Sequence, residues 1–429
     1  MTNRRSGHVL LGINVLVLGY LPAAWKTPLL KKDSFIDPQY WANLGRTAER
    51  GTLDALFLAD GPLLGDPAYD ANPIRLEPTV NWGQVAAATS RVGLVATASS
   101  TFNDPFELAE RLLSWDHQTG GRAAWNVVTT RGAPAARNFG MPEIPFRDDR
   151  YERATEFVDV VRALWESAAT GRDIHHHGPF FDIEGRLRVP PSKQGRPVIF
   201  QAGGSPQGRA LAGRVAEGVF AAELTKDQAI EHYRLVKGFA RDNGRSPDDI
   251  KILPGLLLSL GSTEEEARRR SDEIHDAGPA AYSIAWLSQA IGYDASRLEL
   301  DEPFPEDVLG PIKDTQTFLG SIGFRESILA QIRRTNPTVR EYLKQTRYTG
   351  SGHAGFVGTP EQLADHIEDW FHAGAVDGFN LQPDRLIDGL AVIVDELVPI
   401  LRKRGLYRHE YATETLREHF QAASPTPAF

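Results

Sequence analysis

Short apolar runs alternate with amphipathic stretches along nearly the whole chain. Eight of these runs have the length and the aliphatic, β-branched character of buried strands. They are LLGINVLVL (10–18), ALFLAD (55–60), VGLVATAS (92–99), AAWNVVTT (123–130), VIFQAG (198–203), GVFAAE (218–223), KILPGLLLSL (251–260) and GFNLQP (378–383). Between them lie helical patterns. The stretch YERATEFVDVVRALW, from Tyr151, places its apolar residues on one helix face, and TPEQ, from Thr359, is a helix-capping pattern.

The alternation of eight strands with helices predicts an α/β fold, a (β/α)8 TIM barrel with insertions. Continuous apolar runs suit this fold, because its parallel strands are covered on both faces. A doubly wound sheet is the competing interpretation, and it is less favoured because the alternation extends through the whole chain. We therefore predict a single TIM-barrel domain over residues 1–429 with two insertions. These are a hairpin at about 171–197 and a helical segment at about 283–355, which acts as a lid or as a dimer segment.

Composition narrows the classes of function. The net charge of −9 provides no general attraction for nucleic acid or for an anionic membrane surface. The absence of cysteine excludes disulfides, thiolate metal sites and cysteine nucleophiles, and it fits a cytoplasmic location. The N-terminal stretch MTNRRSGHVLLGINVLVLG has the basic pair and apolar run of a signal peptide, but it equally suits a first buried strand.

Polar residues recur where the predicted strands end. They are Asp60, Thr97, Ser99, Asn126, Thr129, Thr130, Ser205, Glu223 and Gln382. In a TIM barrel the active site lies at the C-terminal ends of the strands, so these residues predict one functional mouth. The simpler explanation, that a strand ends where solvent begins, accounts for one or two of them but less easily for all.

One strand-to-helix turn, VIFQAGGSPQGRAL (198–211), has the features of an anion site. Gly203 and Gly204 allow a ligand to approach the backbone, and Pro206 suits the first turn of a helix. The free N–H groups of such a turn can bind a phosphate, although an ordinary tight connection would look the same.

Three other motifs look like chemical sites but lack the required context. GSGHAG (350–355) follows no strand and precedes its helix by several residues, so we interpret it as a flexible loop. Neighbouring side chains in His175–His177 point to opposite faces of an extended chain, so we predict no metal site there. In GGSPQG, Gln207 stands where a nucleophile elbow needs glycine.

A set of ordered motifs resembles the bacterial-luciferase-like flavin monooxygenases. The resemblance is to the branch that contains nitrilotriacetate, EDTA, dibenzothiophene-sulfone and long-chain-alkane monooxygenases. The motifs are DHQTGGRAAWNVVTT, RNFG, RDDRYERA, QAGGSPQGR and VGTPEQLADHIEDWFHAGAVDGFNL, and the match extends from about Leu11 to Leu381. The resemblance also includes LLGINVLVLGYLPAAWK as the first strand, which favours a strand over a cleaved signal peptide.

The resemblance implies a luciferase-like barrel that binds reduced FMN, supplied by a separate NADH-dependent flavin reductase. Gly204, Ser205, Tyr151 and Arg147 would hold the FMN phosphate, with Arg147 standing where the branch usually has histidine. The residues that would line the isoalloxazine and ribityl positions are Asp60, Thr97, Ser99 and Asn126. Reaction of the flavin with O₂ would give a C4a-(hydro)peroxyflavin that oxygenates a small organic molecule.

The substrate side departs from the branch pattern. Tyr20 and Leu21 stand where the branch has two adjacent histidines, so the pocket is less polar there and favours an aromatic or heteroaromatic substrate. We also assign Glu223 to the substrate side.

An F420-dependent oxidoreductase of the same superfamily and a non-catalytic flavin-binding protein are the alternative functions. A homodimer or homotetramer is expected.

Overall fold

The computed structural model describes residues 7–16, 18–21, 23–26, 31, 33–62, 76–130, 133–278, 281–312, 318, 320, 322–348 and 352–420. Eleven strands lie in this part of the chain. They are β1 Leu10–Val15, β2 Ala55–Leu58, β3 Gly93–Ser99, β4 Ala123–Val128, β5 Ile174–His177, β6 Asp182–Gly185, β7 Val198–Gln201, β8 Gly218–Ala221, β9 Lys251–Leu260, β10 Ala354–Gly358 and β11 Gly378–Pro383.

Eight of these strands close into a parallel barrel, in the order β1-β2-β3-β4-β7-β8-β9-β11 and back to β1. The closing pairs are β8 with β9 and β11 with β1, and both are parallel. Each barrel strand lies within one of the eight apolar runs, so the TIM-barrel prediction is confirmed. The run 10–18 supplies β1, which pairs on both sides and is therefore an integral part of the barrel.

Three strands lie outside the barrel. β5 and β6 form an antiparallel hairpin, in which His176 turns toward Glu156 while His175 and His177 are exposed. β10 continues along β9 beyond the end of β8, pairing residues 354–358 with residues 256–260. The interpretation of GSGHAG as a loop was therefore wrong for its described part, because His353 is buried and Ala354 begins β10.

The barrel interior is apolar at one end and polar at the other. Its N-terminal end is filled by a cluster that includes a plug from the C-terminal region: Leu10, Ala55, Phe57, Val95, Ala124, Val198, Phe200, Leu253, Leu416 and Phe420. Since side chains alternate along a strand, the next inward positions after Leu10, Val95 and Ala124 are Gly12, Thr97 and Asn126. The polar layer thus lies nearer the C-terminal ends of the strands, where the mouth was predicted.

Helices pack around the barrel, across its N-terminal end and in the segment between β9 and β10. They are α1 Pro38–Arg50, α2 Pro78–Ala88, α3 Pro105–Gln118, α4 Ala133–Asn138, α5 Arg147–Thr170, α6 Pro206–Val215, α7 Lys226–Asp242, α8 Glu264–Asp276, α9 Ala281–Ile291, α10 Glu306–Leu309, α11 Ile322–Thr335, α12 Val339–Gln345, α13 Pro360–His372, α14 Leu386–Val392, the π-helix Ile393–Leu397, α15 Val398–Lys403 and α16 Leu416–His419. Short 3-10 turns occupy Ala24–Lys26, Ser34–Ile36, Pro247–Asp249, Ala295–Arg297 and Thr346–Tyr348. The capping box predicted at Thr359 begins α13. In the described part of the chain, no helix has both the length and the apolarity needed to cross a bilayer.

The segment between β9 and β10 has an apolar core of its own. α9, α10, α11 and α12 contribute to a cluster separate from the barrel core: Leu287, Ile291, Ala295, Leu298, Phe304, Val308, Ile328, Leu329, Ile332, Val339 and Tyr342. Buried Arg325 of α11 donates to the carbonyls of Ile291, Val308 and Gly310, which ties three parts of the segment together. The described helices of this segment therefore pack on a core of their own.

Candidate active site

The glycine turn after β7 leads directly into α6. Ser205 is the N-cap of this helix, and its Oγ accepts from the N–H of Gly208 at 3.1 Å. The N–H groups of Gly204 and Ser205 have no partner among the described residues. Free N–H groups at the positive end of a helix dipole are suited to an anion such as a phosphate.

Tyr151 of α5 reaches the same turn. Its hydroxyl lies 3.4 Å from that of Ser205, although the two residues are 54 positions apart. A methyl group added at Gly203 would lie 2.9 Å from the Tyr151 hydroxyl and 2.5 Å from Nε2 of Gln201. Only glycine therefore allows the tyrosine to approach the turn so closely. Three of the residues predicted for the phosphate, Gly204, Ser205 and Tyr151, are thus brought together.

Arg147 is the first residue of α5, one helical turn before Tyr151. Its side chain lies outside the described part of the structure, so its role toward phosphate stays a prediction. A second arginine that the sequence analysis did not select, Arg209 of α6, donates to the carbonyl of Gly204 at 2.7 Å. This contact brings a guanidinium beside the turn and fixes the orientation of the Gly204 peptide.

A second group of predicted residues lies at the ends of β2, β3 and β4. Nδ2 of buried Asn126 donates to Oγ1 of Thr97 at 2.9 Å, while Thr130 donates to Oγ of Ser99 at 2.6 Å. Asp60, Thr97, Ser99 and Thr130 line one cavity of about 170 Å³. Thr130 has a φ of 41°, a strained conformation for a β-branched residue and one often found at functional sites.

Buried amide and imidazole atoms without partners mark the polar layer of the barrel. Among the described residues, the following inward-facing atoms have no hydrogen-bond partner: Oδ1 of Asn14, Oδ1 of Asn126, Oδ1 of Asn380, both amide atoms of Gln382 and Nδ1 of His353. Leaving such groups unsatisfied is costly, so a ligand or ordered water must complete them. Four of these six atoms are amide oxygens that only accept hydrogen bonds, so the layer suits a polar ligand that offers donors.

The residues predicted for the substrate side have three different environments. Tyr20 is half-buried, and its ring meets that of His353 edge-on at 6.3 Å. Leu21 packs in a small apolar cluster with Ala23, Leu257 and Ile274. Glu223, just beyond the end of β8, is buried and contacts His232 of α7.

Glu223 and His232 form a buried polar contact. Oε1 of Glu223 lies 3.0 Å from Nδ1 of His232, and both side chains are less than a tenth exposed. Burial raises the pKa of Glu223 to about 8 and lowers the pKa of His232 to about 4. Loss of hydration penalises the charged form of each group, so the pair is uncharged at neutral pH.

Sequence reasoning missed several residues of the mouth. Asn14 and Asn380 interrupt apolar strands as Asn126 does, so the signal that found Asn126 could have found them too. Gln201 accepts from the N–H of Gly203 at 2.7 Å and shapes the glycine turn. His353 carried no such signal, because a histidine in a glycine-rich stretch has no strand pattern to place it.

Comparison with known proteins agrees with this architecture. The family model described as luciferase-like monooxygenase matches residues 21–377. The N-acetyl-S-(2-succino)cysteine monooxygenase of Bacillus subtilis (strain 168) is 37% identical, covering 99% of each chain. Nitrilotriacetate monooxygenase component A of Aminobacter aminovorans is 38% identical, covering 97% of this chain and 96% of its own. The structure of EDTA monooxygenase from Chelativorans sp. BNC1 matches with a TM-score of 0.80 at 31% identity, covering 97% and 99% of the two chains.

The chain therefore belongs to the luciferase-like monooxygenase family, in its FMN-dependent branch. It is a monooxygenase, and its cofactor is reduced FMN. Its homologues are two-component enzymes that act on small organic substrates, which implies a separate flavin reductase. The resemblance found in the sequence is thereby confirmed.

Proposed function

We propose that the protein is the oxygenase of a two-component system that acts on a small aromatic or heteroaromatic molecule. Its partner is an NADH-dependent flavin reductase, from which it takes reduced FMN. The observation that carries the proposal is the glycine turn and the layer of unpartnered amides at one end of one barrel. The turn suits the phosphate, and the amide layer suits the ring.

Each group of residues has a separate task in this proposal. Ser205, Tyr151 and the free N–H groups of the turn hold the phosphate, with the charge of Arg209 nearby. Asn126, oriented by Thr97, presents its free Oδ1 to a donor on the ring edge. Reduced FMN, when bound, supplies the two electrons that activate O₂ for transfer of one oxygen atom to the substrate. Asp60, Ser99 and Arg147 complete the cofactor side, and Glu223 the substrate side.

The segment 283–355 serves as the cover that keeps water from the reacting centre. Its own apolar core lets it move as a unit, and its α11 touches the barrel close to the site. A methyl group added at Gly323 of α11 would lie 3.1 Å from Cα of Gly204, so the two backbones are in contact at the turn. The neighbouring Phe324 packs against His353. Flavin must enter and leave, so these contacts must open.

Equilibrium titration under anaerobic conditions tests the proposal. We expect reduced FMN to bind more tightly than reduced riboflavin or reduced F420. Ser205→Ala and Tyr151→Phe should each weaken FMN binding by about 5- to 150-fold, the cost of removing one hydrogen bond to a charged group. Riboflavin binding, which involves no phosphate, should change little.

Because Ser205 is also a helix cap, the matched control is Thr263→Ala, which removes the cap of α8 on the outside of the barrel. This variant should lose a similar amount of helix stability without losing FMN affinity. Binding of F420 without binding of FMN would contradict the proposed function. Equal loss of FMN and riboflavin in the Ser205 variant would contradict the phosphate assignment.

A further inference from the structure

His353 is enclosed by aromatic rings at the mouth of the barrel. Its imidazole stacks on Phe220 of β8, with ring centres 5.0 Å apart and planes 10° apart. Phe324 of α11 meets it edge-on at 5.3 Å, and Tyr20 does so at 6.3 Å. Only 4% of His353 is exposed. Side chains from three distant parts of the sequence thus surround one histidine.

The two ring nitrogens of His353 have different surroundings. The imidazole donates one N–H to the carbonyl of Ala221, while Nδ1 has no partner among the described residues. The donating nitrogen is therefore Nε2, and Nδ1 is an acceptor. Burial lowers the pKa of His353 to about 4, so the ring is uncharged at neutral pH and keeps this lone pair.

Gln382 of β11 lies beside this free nitrogen. A methyl group added at Gly255 would lie 2.5 Å from Nδ1 of His353 and 2.6 Å from Nε2 of Gln382, so the two nitrogens are within about 5 Å of each other. Both amide atoms of Gln382 are also without partners, and the side chain is fully buried. An acceptor and a donor therefore lie close together beside Gly255, in the middle of β9.

We propose that His353 and Gln382 recognise the edge of a planar, uncharged ring in which an N–H stands next to a carbonyl, as in a cyclic amide or imide. The ring N–H donates to Nδ1 of His353, and the ring carbonyl accepts from Nε2 of Gln382. The surrounding aromatic rings favour a flat partner. A carboxylate is disfavoured, because it would meet the lone pair of Nδ1.

This inference rests on the proposed function, and two molecules there have the required edge. One is the cofactor, whose pyrimidine-dione ring carries an N–H between carbonyls. The other is a heteroaromatic substrate with a lactam group. Methylation of the ring nitrogen removes the donor from either molecule, so paired probes distinguish the two sources. The pairs are FMN with 3-methyl-FMN, and 2-quinolone with N-methyl-2-quinolone added to the FMN-loaded enzyme.

Two substitutions distinguish a role of His353 in ligand recognition from a role in maintaining the fold. His353→Asn keeps a hydrogen-bonding atom near the position of Nδ1 and loses the one that bonds Ala221. His353→Gln does the reverse. Thermal unfolding of both variants monitors the fold, and dissociation constants for the four probes give the readout.

In the wild-type protein, methylation of the recognised ring should weaken binding by about 5- to 100-fold. The readout is the dissociation constant of the methylated probe divided by that of the unmethylated probe. His353→Gln should bring this ratio to nearly one, whereas His353→Asn should retain the wild-type ratio. An effect confined to the flavin pair assigns the edge to the cofactor, and one confined to the quinolone pair assigns it to the substrate.

The proposal is overturned if wild-type protein binds FMN but methylation of neither ring matters, since Nδ1 would then be served by buried water. It is also overturned if methylation no longer weakens binding in His353→Asn but still does so in His353→Gln. The role of His353 would then be its hydrogen bond to Ala221. A wild-type protein that does not bind FMN would instead contradict the proposed function.

Discussion

Replacing Glu223 by glutamine tests whether the carboxyl buried beneath α7 is uncharged in the folded protein. Burial raises the pKa of Glu223 to about 8, far above its ordinary value of 4.5. Between these two pH values the unfolded chain has released a proton that the folded chain retains. The free energy of unfolding must therefore fall as the pH rises through this range.

The magnitude follows from the two pKa values of the pair. His232, whose pKa is lowered from 6.5 to about 4, has the opposite effect, because below pH 6.5 only the unfolded chain protonates it. The two effects cancel between pH 4.5 and 6.5. From pH 6.5 to 8 only Glu223 contributes, at 1.36 kcal/mol for each pH unit, which gives a loss of about 2 kcal/mol.

Urea unfolding at pH 6.5 and pH 8 measures this loss directly. Glu223→Gln keeps the size and a hydrogen-bond donor toward His232 but cannot ionise. Its stability relative to wild type should therefore improve by about 2 kcal/mol between the two pH values. Glu265→Gln, which changes an exposed carboxylate of α8, is the control and should follow wild type. Parallel curves for Glu223→Gln and wild type would show that Glu223 is ionised in the fold, which would refute this reasoning.

Three further predictions concern the cofactor and its cover. Asn126→Leu should weaken FMN and riboflavin equally, by about 3- to 10-fold in titrations, because we propose that Asn126 faces the ring and not the phosphate. A larger loss of affinity for one of the two flavins would contradict this position of Asn126. Gly203→Ala should reduce both the melting temperature and FMN affinity, since its methyl group would lie 2.9 Å from Cα of Gly208. Unchanged affinity would show that the turn can relax. Peptides from 283–355 should exchange amide hydrogen fastest without ligand and become protected with flavin and substrate bound. Slow exchange that ligands leave unchanged would favour a dimer contact.

The barrel could be predicted because its strands are covered on both faces. Such strands are continuous apolar runs, and each of the eight runs holds one barrel strand. β10 was missed because AGFVG is short and contains two glycines, and it pairs with β9 only where β9 extends beyond β8. Pairing of this kind depends on the relative lengths of two strands that are distant in sequence, and no local pattern records it.

The site was predictable where a single residue conflicts with its surroundings. Asn126 stands in an apolar strand, and a buried amide needs a partner, so its selection as a candidate follows from the sequence alone. The glycine turn that we propose for the phosphate was likewise a local signal, since Gly203, Gly204 and Ser205 are consecutive. His353 is the opposite case, because its environment consists of Tyr20, Phe220 and Phe324, which only the folded chain brings together.

The fold determines where these polar side chains point. Asn14, Asn126 and Asn380 each require a partner, and three independent core contacts could have supplied them. The two-residue alternation of the strands instead turns all three into the barrel, above an apolar layer that is closed by Leu416 and Phe420. Buried amides that face one common space cannot all be satisfied by the strands that carry them. These shared unsatisfied hydrogen bonds, and not any single residue, are the physical basis of the proposal that this end of the barrel binds a polar ring.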